Sequence, residues 1–171
     1  MARKGIPVLR MALLCLALMF VVSACAPPPI PPAAPGDKPP EKPTSLEGLY
    51  RLMVGTGKLT DMTPVPESLI AATYGIAASD MAEAVFMVAQ DVAKADEIIL
   101  IQAIDEEAAS RILQLLSARL ARKETETKDS SPSQYALILN ARLLHSGKHL
   151  AMFVSPDARE LVQVYEENWG K

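Results

Sequence analysis

Cysteine is nearly missing from these 171 residues: there are two, at positions 15 and 25, and none after them. Two thiols cannot staple a small disulfide scaffold, and the long segment beyond residue 25 has no thiolate for nucleophilic catalysis or a zinc site. Histidine is as scarce, with two residues, and aromatics make up only 5%. Basic residues are outnumbered by acids, 17 to 20, for a formal net charge of −3, which argues against a nucleic-acid binder. None of the eight glycines builds a phosphate-cradling loop, since Gly55-Thr56-Gly57-Lys58 lacks both the spacing and a preceding strand. No serine stands in a Gly-x-Ser-x-Gly elbow. Only one apolar run is long enough to discuss as a span, which excludes a multi-spanning membrane protein.

What is present is unevenly placed. Half the residues are apolar, which rules out a collagen-like or wholly disordered chain, and the length suits one folded domain. Nine of the 14 prolines fall between residues 27 and 43. The first ten residues carry Arg3, Lys4 and Arg10 and no acid, followed by an uncharged apolar run over Met11 to Val22 and then Ser23, Ala24 and Cys25. That is the order of a secretory signal peptide. A permanent span needs about 20 apolar residues, more than the sixteen from Met11 to Ala26 supply. Loss of residues 1–24 removes three basic residues and no acid, taking the net charge from −3 to −6.

Val22-Ser23-Ala24-Cys25 resembles the lipobox of a bacterial lipoprotein signal. The resemblance implies diacylglyceryl attachment to the Cys25 thiol and cleavage between Ala24 and Cys25, with Val22, Ser23 and Ala24 recognised by the signal peptidase. Ordinary secretion, with a standard peptidase cutting the same bond, shares the small-residue pattern and stays open as the alternative. Two acyl chains, at about 0.8 kcal/mol per buried methylene, anchor stably where one is marginal. The partner so implied is membrane lipid, on the extracytoplasmic face of the cell membrane. An acidic domain beside an anionic leaflet is held there by lipid rather than by charge.

Residues 25–43 read as the lipidated cysteine and a tether. Half of the eighteen residues from 26 to 43 are proline, which fixes φ and removes the N–H, so helix and sheet give way to polyproline II. At about 3.1 Å per residue the stretch reaches roughly 55 Å when extended.

Residues 44–171 form the expected single domain, with seven of the eight aromatics. Thr44 with Glu47 reads as a capping box opening a helix over Leu46, Leu49, Tyr50 and Met53, with Gly55 as its stop. A second helix starts at Pro66 and ends at Gly75. The runs Ala84–Ala89 and Ile98–Ile101 read as antiparallel strands, with Asp96-Glu97 a solvated strand edge. Asp105 caps the clearest helix, with Glu106 and Glu107 in its first turn, Arg119, Arg122 and Lys123 in its last, and a surface loop from Lys123 to Ser131. Ser131-Pro132-Ser133-Gln134 is a second capping box before a short helix. Residues 141–145 and 149–155 flank a Ser146-Gly147-Lys148 hairpin turn, and Ser155-Pro156-Asp157 starts a last helix over Ala158, Leu161, Val162, Tyr165 and Trp169. Two ββα units, at about 82–123 and 140–169, predict an α+β fold: an antiparallel sheet with helices on one face, preceded by two N-terminal helices.

In order along the chain, Tyr74-Gly75-Ile76, Ala95-Asp96-Glu97-Ile98, Glu107…Leu116…Arg119, Gly147 and Ser155-x-Asp157-Ala158 resemble a domain-of-unknown-function family of small lipoproteins from Gram-positive bacteria. That resemblance implies a class and transfers no catalytic residue.

His145 and His149 flank the hairpin turn and are the metal candidates, but no Asp, Glu or Cys in the hairpin completes a tetrahedral set; two solvent-facing histidines on a turn is the plainer reading. Asp105, Glu106 and Glu107 serve as cap and dipole partners of their own helix. No catalytic set and no cofactor is expected. The sequence therefore predicts a membrane-anchored extracytoplasmic lipoprotein that binds an envelope protein or a cell-wall component, with an envelope hydrolase using carboxylates assembled only in three dimensions as the rival.

Overall fold

The computed structural model describes residues 42–59 and 61–169. The signal segment, Val22-Ser23-Ala24-Cys25 and the tether up to residue 41 lie outside the described residues. Five strands and five α-helices are formed among the described residues: α1 (Leu46–Gly55), β1 (Met62–Pro64), α2 (Glu67–Tyr74), β2 (Met81–Ala89), β3 (Glu97–Ala103), α3 (Glu106–Thr127), α4 (Pro132–Leu139), β4 (Arg142–Ser146), β5 (His149–Val154) and α5 (Ala158–Asn168). The sheet is antiparallel throughout, in the order β1-β2-β3-β5-β4. The α+β class and both hairpins stand as the sequence predicted; β1 is an addition.

The helices lie on both faces rather than one. The cause is the composition of the two central strands, which are apolar at almost every position and so need cover on each side. Ile98, Leu100, Ala151 and Phe153 pack against Leu46, Leu49 and Met53 of α1 and Leu161 and Tyr165 of α5. Ile99, Ile101, Leu150 and Met152 pack against Ile70 and Tyr74 of α2, Ile112 and Leu116 of α3, and Ile138 of α4. The two ββα units are therefore not rotational copies. β3 and β5 pair antiparallel, so a two-fold axis relating the hairpins would stand perpendicular to the sheet and leave both following helices on one face. Instead α3 and α5 take opposite faces.

Several boundaries move for local reasons. Ser45, not Thr44, caps α1: its Oγ accepts the Gly48 N–H at 3.0 Å, and Glu83 Oε1 of β2 accepts the Leu46 N–H at 2.7 Å. Pro66 precedes α2 as its N-cap, and Gly75 ends it in the left-handed region, φ 72°, where a side chain is strained. Asp105 caps α3 as expected, its Oδ1 accepting the Ala108 N–H at 2.7 Å. That helix does not stop near residue 123; it runs to Thr127 and absorbs half of the expected loop. Ser131 makes no side-chain cap bond to α4. Its supposed capping partner Gln134 accepts the Ala95 N–H at 2.7 Å instead, tying α4 to the loop before β3. Asp157 likewise makes no side-chain cap bond to α5 and receives Lys58 Nζ at 3.2 Å. Among the described residues no helix is long and apolar enough to cross a membrane.

Candidate functional site

The most enclosed charge among the described residues is Glu97, with 0% exposure. It opens β3 on the face of Ile99 and Ile101, so its side chain enters the core under α3 rather than solvent, correcting the strand-edge expectation. A carboxylate out of water demands partners for both oxygens. Glu97 Oε1 receives the Tyr74 hydroxyl at 2.5 Å and Arg119 Nη2 at 2.8 Å. Arg119 Nε reaches Oε1 and Oε2 at 2.9 and 3.0 Å, and Lys123 Nζ reaches Oε2 at 2.9 Å. The Arg119 guanidinium lies 4.3 Å from the Tyr74 ring centre, a cation–π stack. Lys123 also donates to the Ala95 carbonyl at 2.8 Å.

Arg119 and Lys123 are thus not last-turn partners of the α3 dipole. They stand seven residues beyond Ile112 and Leu116, so they continue the buried stripe as its polar end. Burial pushes the Glu97 carboxyl up, but the Arg119 and Lys123 cations and the Tyr74 hydroxyl outweigh it and hold the group below its ordinary value. Burial first, then the Glu97 charge, pushes the Tyr74 hydroxyl above the usual tyrosine range. Every strong acceptor site of this carboxylate is occupied, so the cluster locks α2, β3 and α3 together and offers no free base.

Among the described residues, two open concavities reach about 350 Å³. A cleft of about 360 Å³ lies between α4 and the start of α5, with Ser133, Arg142, Ser155 and Arg159 in its wall. Arg142 donates from Nη1 to the carbonyls of Asn140 and Ala141, and Ser155 Oγ accepts the Asp157 N–H, so two of the polar groups there serve the local chain. The second, of about 350 Å³, follows β2 between α1 and α2. Its floor includes Ala84 and Phe86, its rim Glu47, Glu67 and Glu83. Glu83 is bonded to the start of α1, and Arg51 meets Glu47 at 3.3 Å.

The hairpin register separates the two histidines. Ser146 pairs with His149 and His145 with Leu150, which puts His145 on the Leu150 face of the sheet and His149 on the other. His145 Nε2 meets the Gly147 carbonyl at 2.8 Å, and His149 stands edge-on to Trp169 at 6.0 Å. Among the described residues, no group of three or more His, Cys, Asp or Glu is arranged to hold a metal ion. The Glu97 cluster was missed in the sequence, although Tyr74, Glu97 and Arg119 each fall in a motif quoted above. Residues 56–155 match a family model described as a domain of unknown function (DUF4358). No curated protein and no solved structure matches the chain.

Proposed function

This chain belongs to the DUF4358 family, and from that premise we propose a membrane-anchored extracytoplasmic lipoprotein whose folded domain acts by binding another envelope component. The observation that carries the anchor is Val22-Ser23-Ala24-Cys25 at the end of a basic-then-apolar leader and directly ahead of nine prolines in eighteen residues. In that arrangement the Cys25 thiol carries the lipid, residues 26–43 bridge the membrane surface layer, and the domain from residue 44 presents its surfaces to the envelope. Binding is favoured over hydrolysis by how the carboxylates are spent. Glu97, the one fully buried carboxylate among the described residues, is saturated by three side chains.

The anchor is tested by expressing the chain in a bacterial host with radiolabelled palmitate. The wild type is expected to take up label and shift to the mature mass. Cys25→Ser is expected to lose both label and cleavage. Cleavage of Cys25→Ser at the same bond, or an unlabelled wild type, overturns the lipoprotein reading in favour of ordinary secretion.

A further inference from the structure

β2 is paired along its whole length on one side only. Its β3 side is laddered from Met81 to Val88, whereas β1 reaches only Met87 to Ala89 on the other. One further bond follows, Val65 N–H to the Phe86 carbonyl at 2.9 Å. The chain then turns off into α2 at Pro66, and the pairing ends there. Because backbone groups alternate sides along a strand, Ala84 turns its N–H and carbonyl the same way as Phe86, into the groove, where no described strand meets them. The groove is lined asymmetrically. Glu83 lies on the α1 face of the sheet with Glu47 beside it, while Val65, Ile70 and Met81 offer an apolar wall on the α2 face.

We propose that the open edge of β2 around Ala84 is a strand-addition site for an extended, basic segment of another protein, its lysines or arginines facing Glu47 and Glu83 and its apolar side chains facing Ile70. Strand addition supplies main-chain bonds from the edge and specificity from alternate side chains, and the two faces of this groove match the two faces of an alternating basic–apolar strand. Other occupants fit poorly. The chain's own tether is half proline between residues 26 and 43 and lacks the donors a ladder needs. A second copy paired edge to edge would set Glu47, Glu67 and Glu83 against their own duplicates. The inference deepens the binding reading above and rests on it.

The test uses the full chain in detergent micelles and a fluorescent hexapeptide of alternating lysine and valine, read by anisotropy. An alternating glutamate–valine hexapeptide and a lysine–valine hexapeptide N-methylated at alternate residues are the controls. The basic peptide is expected to bind, and both controls to bind at least tenfold more weakly. Ala84→Pro removes only an outward N–H, a position edge strands tolerate, and is expected to weaken binding at least tenfold. Glu47→Lys is expected to weaken it several-fold and flatten its salt dependence, which guards against an Ala84→Pro variant that fails to fold. Equal binding of the N-methylated peptide overturns strand addition. No binding of the basic peptide overturns it too, and the acids then only guard an exposed edge. Capture of the same partner from intact envelopes by the wild type and by Ala84→Pro sinks this site while leaving the broader binding reading standing.

Discussion

Glu97 illustrates what a fully enclosed carboxylate requires of its neighbours. Its two oxygens are divided among Tyr74, Arg119 and Lys123, and removing one member of a buried pair leaves the others without compensation. Glu97→Gln is expected to lower the unfolding free energy at neutral pH by about 3 kcal/mol. The pH dependence follows from the direction of the shift. A carboxyl held below its ordinary 4.5 binds fewer protons folded than unfolded. Its stabilisation is therefore complete above that range and lost as pH falls through the folded value. Urea unfolding of wild type and Glu97→Gln should show the gap at pH 7 shrinking towards pH 3; a gap constant with pH would remove the carboxylate from this role. The cluster was half legible. Glu97 shares the alternation of Ile99 and Ile101, and Arg119 and Lys123 follow Ile112 and Leu116 by seven, so each occupies a core phase. That these three charges meet depends on α3 crossing the start of β3, which no local pattern specifies.

At the scale of the element, the helix starts divide by where their partners come from. Asp105 was readable because its acceptor and the Ala108 donor are three residues apart. Thr44 misled by a single residue, since Ser45 makes an equally local cap to Gly48; Ser131 misled because a tertiary contact took over, Gln134 leaving its own helix for Ala95. The consequence is measurable in a pair of variants. Asp105→Ala should cost about 1 kcal/mol by exposing an unpaired N–H at the start of α3. Ser131→Ala, at a position with no side-chain cap bond, should stay within about 0.5 kcal/mol of wild type. Chemical denaturation of the two side by side decides it, and an equal cost for both would contradict the assigned caps. The end of α3 was misread for the same kind of reason. Lys123 resembles a last-turn cation, but its bonds to Glu97 and Ala95 belong to the interior of a helix that continues to Thr127.

For the whole molecule, the shared central strands matter more than the helix count. β3 and β5 contribute to both cores at once, with Ile98, Leu100 and Phe153 on one side and Ile99, Ile101 and Met152 on the other. The sequence shows these runs as strands, and their lack of alternation is itself the mark of cover on both faces; what no local pattern specifies is which helix takes which face. Sharing has a thermodynamic consequence: neither helical layer can detach without exposing strand surface that the other layer also requires in place. A chain beginning at Thr44 is therefore expected to unfold in one step. Far-ultraviolet circular dichroism and the fluorescence of Trp169, packed on the α5 face, should give coincident urea transitions. Reductant should leave the midpoint unchanged, because residues 44–171 contain no cysteine. Two separated transitions would mean that the two cores fold independently. An unstructured fragment would place the domain boundary before residue 44, inside the stretch read as tether.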